Sequence, residues 1–231
     1  MITIRAMSAS ESIESIKPTR QAPRWKRRKD ARPQELIDAA LALFGEFGYA
    51  QTRLDDVAAR AGISKGTVYL YFSSKQDLFE AVVRERAVPW LESIDISDLD
   101  SQAAIDDQLR SFLQWGWQQF VESRLHLIAR IVLAESNNFP HLAQVYLREV
   151  MGPVHGLLMA LLERGASRGE VQGEVTHERV RALMAPLAWF SIWRPTLVAY
   201  SDPPVDEGRY VEEAIEMIVR SVVRPTVPRQ C

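Results

Sequence analysis

The sequence predicts an all-α chain in two parts: a compact basic unit up to about residue 85, then a larger helical domain. Three observations carry that reading. Apolar residues recur at helical spacing from residue 33 onward, with no alternating run of strand length. The breaks between these stretches fall at Gly, Pro and clusters of Ser or Asp, where helices start and stop. Charge is divided unevenly: residues 1–86 hold 15 basic and 11 acidic side chains, whereas residues 87–231 hold 13 and 19. The formal net charge of −2 thus conceals one candidate polyanion-binding part.

Residues 1–31 are polar, Ser-rich and then basic, without helical periodicity, and are expected to form a mobile arm. Between Lys17 and Arg32 stand eight basic residues (Lys17, Arg20, Arg24, Lys26, Arg27, Arg28, Lys29 and Arg32) against a single acid, Asp30, with Trp25 inside the run. A solvated tail and an electrostatic arm for nucleic acid both fit that pattern.

From Pro33, the residues Leu36, Ile37, Ala40, Leu41, Phe44 and Phe47 line one helical face, and Gly48 follows where a C-terminal cap belongs. Thr52, with Asp55 three residues later, announces a second helix through Val57 and Ala58 to Ala61, ended by Gly62. Ser64 caps a short third helix at 65–72. A fourth starts at Lys75 and continues through Leu78, Phe79, Val82 and Val83. Pro89 and the acidic loop at 95–100 interrupt the pattern. Further helices are expected at about 101–122, 124–136, 141–168, 177–199 and 206–223.

Composition and motifs narrow the function. A hydrophobic content of 47% can bury a sizeable core, and the single Cys231 excludes a disulfide framework or a paired-cysteine metal module. The N-terminus lacks a signal-peptide pattern, and the most apolar stretch, 182–200, is broken by Pro186, Arg194 and Pro195. A buried helix in a cytoplasmic protein is the expectation, with no membrane span. There is no GxSxG, no Walker loop, no Rossmann glycine pattern and no HExxH, and His126, His141, His155 and His177 lack metal-ligand spacing. No catalytic residue, metal or cofactor is expected, and the chain reads as a non-enzyme.

Two helices crossing steeply through a short turn need a small residue at the crossing, a turn residue tolerant of positive φ, and an apolar contact beyond it. Ala58, Gly62, and Ile63 with Val68 meet those needs. The arrangement is a helix-turn-helix, whose second helix enters a DNA major groove. On a helical wheel Val68 and Phe72 point inward, while Gly66 and Leu70, flanked by Thr67 and Tyr69, point away.

Residues 32–85, which carry these features together with Phe44, Phe47, Gly48 and the Ser74-Lys75 to Leu78-Phe79 opening, resemble the DNA-binding domain of the TetR/AcrR family of transcriptional regulators. The resemblance implies a homodimer on a palindromic operator, usually a repressor released by a small molecule. It implies a reading surface of Arg53, Ser64, Lys65, Gly66, Thr67, Tyr69, Leu70 and Tyr71, with Thr52 and Lys75 clamping the DNA backbone at helix starts. Tyr69 is expected to be exposed and Tyr71 partly buried. The basic arm, longer than the family requires, is expected to follow the adjacent minor groove.

Residues 86–231 are assigned to effector binding and dimerisation. Five of the six Trp lie there, and Phe112, Trp115, Arg130, Met151 and His155 are the lining candidates for an effector cavity of unknown ligand. Val180, Leu183, Met184, Leu187, Ala188, Phe190 and Ile192, with Tyr210, Ala214, Ile215, Ile218, Val219 and Val222, fit either a symmetric interface or a self-contained subunit core, and the resemblance implies that the two helices pair with their copies in a four-helix dimer bundle. Effector binding is expected to move the fourth helix. The competing class is a helical adaptor or membrane-surface protein that uses the basic arm without reading sequence.

Overall fold

The apolar periodicity produces helices throughout the computed structural model, which describes residues 32–92 and 103–224. The basic arm at 1–31 and the acidic loop at 95–100 lie outside the described residues. Helix α1 (Arg32–Gln51) buries Leu36, Ala40 and Phe44. Its path breaks at Gly48, where the φ of 82° favours glycine; a β-carbon there would also lie 2.9 Å from Glu135 Oε1, which would have to swing aside.

Helix α2 (Leu54–Ala61) starts one residue later than the sequence suggests. The Asp56 carboxylate accepts from the Arg53 amide at 3.1 Å, so Arg53 with Asp56 replaces the expected pair of Thr52 with Asp55. Thr52 is instead buried, and its hydroxyl donates to the Gly48 carbonyl at 2.8 Å. Gly62, with φ 65°, ends α2: its amide donates to the Ala59 carbonyl and that of Ile63 to Ala58, a Schellman closure. Ser64 then caps α3 (Lys65–Tyr71) by accepting from the Thr67 amide.

Helix α4 (Lys75–Glu92) runs through Pro89 rather than stopping there. Pro89 is exposed, so the Glu85 carbonyl that loses its amide partner faces water. The sequence boundary at 85/86 therefore falls inside one continuous helix.

Helices α5 (Ile105–Glu122) and α6 (Leu125–Glu135) follow, then α7 (Pro140–Tyr146), a π-helical turn (Leu147–Met151) and α8 (Gly152–Ser167) as one rod. It is 28 residues long and holds an 18-residue window of mean hydropathy 1.2, long and apolar enough by length and composition to cross a membrane, yet Leu142, Val145, Leu158 and Leu161 are spent in the core. Where a single helix was expected, the π turn directly precedes Gly152-Pro153. Pro153 would clash with the carbonyl four residues back in a regular helix, and widening the turn relieves it. Helix α9 (His177–Trp193) ends before the expected residue 199 and is followed by a 3₁₀ turn (Val198–Tyr200) and α10 (Glu207–Val222). Among the described residues a single antiparallel bridge joins Val171 to Val223.

Two apolar clusters hold the assembly. One packs Phe44, Tyr49, Val57, Val68 and Phe79 continuously onto Leu125, Ile128, Leu142 and Val145. The other gathers Leu109, Leu158, Val180, Ile215 and Val219 from α5, α8, α9 and α10. The head formed by α1 to α4 is thus packed directly on α6 and α7.

Candidate nucleic-acid interface and effector cavity

Inside the head, α3 buries Val68, and Phe72 beyond its end is buried too, as the wheel predicts. The opposite face leaves Leu70 82%, Tyr69 56% and Tyr71 39% exposed. Such apolar exposure on a seven-residue helix is unusual for a surface that meets only water. Arg53, Ser64, Lys65 and Gly66 are exposed beside them, and Thr67 is half-buried with its hydroxyl 2.7 Å from that of Ser64. A β-carbon at Gly66 would meet nothing within 4 Å, so the fold does not demand glycine there. The Lys65 ammonium is paired with Asp55, which raises its proton affinity.

Two expected clamps face inward. Thr52 is buried as described. Lys75 donates to the carbonyls of Tyr49 at 2.7 Å and Ala50 at 3.1 Å, with its ammonium 4.4 Å from the Tyr49 ring centroid. Burial lowers its pKa. Its charge therefore satisfies the otherwise open carbonyls at the end of α1 and locks α4 to that end. Around it, the Tyr49 hydroxyl shares a 2.9 Å hydrogen bond with His141 Nε2 of α7, and Glu135 Oε1 of α6 accepts from the Ala50 amide at 3.2 Å. Burial pushes the Tyr49 phenol up to about 12.

The larger part forms a cavity of about 440 Å³ that opens to solvent on one side. Phe112, Trp115 and Met151 line it as expected; Arg130 and His155 do not. Arg130 turns toward the head and donates to the Gly45 carbonyl at 3.3 Å. His155 stacks on His177 with ring centroids 5.2 Å apart. Sequence reasoning missed Gly116 and Tyr146, which also line the cavity. The spacing of Phe112, Leu113, Gly116, Trp117 and Phe120 on α5 was the available signal, because residues three and four apart share a face.

The cavity wall is tied to the head along three routes. Trp90 lines it from α4, the helix whose other end carries Lys75. Ala129, Val132 and Leu133 line it from α6, while Arg130 and Glu135 of the same helix bond to α1. Leu147, Val150 and Met151 line it from the π turn, whose Arg148 and Glu149 pair with Glu80 at 2.8 Å and Arg84 at 3.1 Å on α4.

On α9 and α10 the residues expected at a dimer interface are mostly used within the chain. Val180, Leu183, Phe190, Ile215, Ile218 and Val222 are buried. The apolar residues left outside are Ala182, Ala185 and Trp189 on one stripe of α9 and Met217 on α10, with Trp189 58% and Met217 56% exposed.

Comparison with known proteins agrees with this geometry. Residues 36–82 match the model of bacterial regulatory proteins of the tetR family, and residues 107–221 match the C-terminal domain of AefR-like transcriptional repressors. The transcriptional regulator RutR of Escherichia coli K12 is 24% identical over 204 residues, 86% of this chain and 92% of its own length. The fatty acid metabolism regulator of Bacillus subtilis 168 is 26% identical over 147 residues, covering 62% of this chain and 74% of that protein. Among solved structures, Bacillus subtilis FadR in complex with stearoyl-CoA shares the fold at TM-score 0.66 and 21% identity, covering 81% of this chain and 98% of FadR. A TetR family regulator from Pseudomonas syringae pv. tomato DC3000 does so at 0.66 and 24%, over 85% and 100%. With both halves of the chain matched and the helix-turn-helix in place, this protein belongs to the TetR family and is a ligand-responsive, DNA-binding transcriptional regulator.

Proposed function

We propose that the chain is a homodimeric repressor of a palindromic operator, released when a small molecule fills the 440 Å³ cavity. The observation that carries this reading is the exposed face of α3, whose apolar residues and unforced glycine have no use inside the subunit. Arg53, Ser64, Lys65, Gly66, Thr67, Tyr69, Leu70 and Tyr71 form the reading surface. Gly66 admits close approach to the groove, and the hydroxyls and basic groups meet phosphates and base edges. Thr52 and Lys75 act one step back, by holding α1, α2 and α4 in the arrangement that presents α3.

The dimer forms through α9 and α10, by the stripe of Ala182, Ala185 and Trp189 with Met217. Two-fold pairing then sets the recognition helices about 34–36 Å apart for successive major grooves. Ligand in the cavity shifts α4, α6 and the π turn together and changes that separation. Acting on DNA, the protein works in the cytoplasm.

Fluorescence anisotropy with labelled DNA from upstream of its own gene tests the reading at two salt concentrations. Specific retention that weakens with salt supports it. Equal binding to unrelated DNA at both salts overturns it in favour of an adaptor that uses only its charge.

A further inference from the structure

The lining of the cavity identifies what it can hold. Among the described residues, no Asp, Glu, Lys, Arg or His lines it. The polar side chains there are the hydroxyls of Ser136, Ser191 and Tyr146 and the indole edges of Trp residues. Ser191 already donates to the Ala188 carbonyl at 2.6 Å. Burial raises the Tyr146 pKa, so its hydroxyl stays protonated, and it makes no hydrogen bond among the described residues. The two candidates from the sequence that carry ring or guanidinium nitrogens, His155 and Arg130, are engaged elsewhere, by the His177 ring and the Gly45 carbonyl. A carboxylate or phosphate placed inside would therefore lose its water without gaining a counter-charge, which is far more costly than burying a neutral oxygen. An apolar body gains from the same surroundings.

We infer that the effector is an uncharged, mainly apolar molecule of drug size, carrying one hydrogen-bonding oxygen set against the Tyr146 hydroxyl. This rests on the reading of the cavity as the effector site. Size follows from the volume, which falls within the range of roughly 300–1,000 Å³ typical of such pockets.

The test uses N-phenyl-1-naphthylamine, a neutral fluorophore that brightens in apolar sites, with decan-1-ol and decanoate as competitors at pH 8. The two competitors share a chain and differ in charge. Expected is displacement by decan-1-ol at a concentration at least about tenfold below that of decanoate, the penalty of an uncompensated charge. Tyr146→Phe should weaken decan-1-ol several-fold while leaving the fluorophore's own binding unchanged. Equal potency of decanoate, or failure of the fluorophore to bind the native chain, overturns the inferred ligand class.

Gly116→Phe separates that failure from failure of the site itself. Gly116 sits in the middle of the cavity-facing stripe of α5, and a β-carbon there meets nothing within 4 Å, so the ring has room to enter the cavity. Loss of fluorophore binding with an unchanged melting temperature places the ligand in this cavity. Undiminished binding in this variant rejects the cavity as the effector site and the functional reading along with it.

Discussion

Glu149 of the π turn lies 3.1 Å from Arg84 of α4, and the two belong to a closed ring of alternating charge. Arg84 also meets Glu80 at 2.7 Å, Glu80 meets Arg148 at 2.8 Å, and Arg148 returns to Glu149 at 2.8 Å. The Arg148 and then Arg84 guanidinium groups hold the Glu149 carboxyl below the usual range. Arg148 and Glu149 stand between Leu147 and Val150, which line the cavity. One short turn thus lines the cavity with some residues and touches α4 with the others.

Glu149→Gln should loosen that connection without unfolding the chain. Operator affinity without ligand should stay within about twofold, while the loss of affinity caused by a saturating cavity ligand should shrink by about fivefold or more, within the range of ordinary allosteric coupling. Anisotropy titrations with and without N-phenyl-1-naphthylamine measure both. Undiminished release in the variant would assign coupling to α6 and Trp90 alone.

Gly66→Ala should pull stability and DNA binding in opposite directions. Replacing a helical glycine whose β-carbon has open space stabilises by about 0.5–1 kcal/mol. The same methyl group obstructs the groove, so operator affinity should fall by about tenfold or more, equivalent to roughly 1.4 kcal/mol. Urea melts and anisotropy on one preparation suffice, and unchanged affinity would remove Gly66 from the reading surface.

Asp55 occupies the ammonium of Lys65 in the DNA-free protein. Asp55→Asn should release that charge for phosphate and remove a negative group near the duplex, raising affinity by about three- to tenfold at low salt. The gain should fade as salt rises. A loss of affinity would mean that Asp55 orients Lys65 rather than competing for it.

His141 titrates below the ordinary imidazole value of 6.5, first because it is buried and second because Lys75 is close. The unfolded chain therefore takes up a proton at a higher pH than the folded one. Stability should be constant above about pH 6.5 and fall as pH drops below it toward the folded pKa. His141→Gln should flatten that fall without abolishing it, since burial and Arg194 depress His126 in the same direction. Urea melts at pH 7.5 and 5.5 provide the comparison; identical slopes would clear His141 of the effect.

Trp189→Glu should leave the fold intact, because the indole is 58% exposed, while placing a charge on the proposed subunit contact. Light scattering should then report a monomer for the variant and a dimer for the native chain, with operator binding weakened accordingly.

The head was legible almost residue by residue, because its signals are local: Ser64 three residues before the Thr67 amide, Gly62 at a helix end, Val68 and Phe72 on one side of a wheel. Phe47, expected on the inward face of α1, is instead 61% exposed, and Lys75 turns to the carbonyls of Tyr49 and Ala50; the remaining exception is local. Thr52 and Arg53 are adjacent, and which of them caps α2 depends on the Gly48 carbonyl that takes the Thr52 hydroxyl. In the larger part, periodicity identified a buried face on α9 and α10 but not its partner, which for Val180 and Ile215 is the same chain. It likewise placed Arg130 on the right helix and the wrong side, since only packing decides that α6 turns Val132 to the cavity and Arg130 to α1.

That double allegiance of α6 limits how such a sensor diversifies. Substitutions at Ala129, Val132 or Leu133 that retune the chemical taste of the protein will also disturb its grip on the genome, because the same rod bonds to α1. Met184, Leu187 and Ile192 share the wall from α9, and among the described residues no hydrogen bond of that helix reaches α1 to α4. Selection or engineering for a new inducer has its freest hand there.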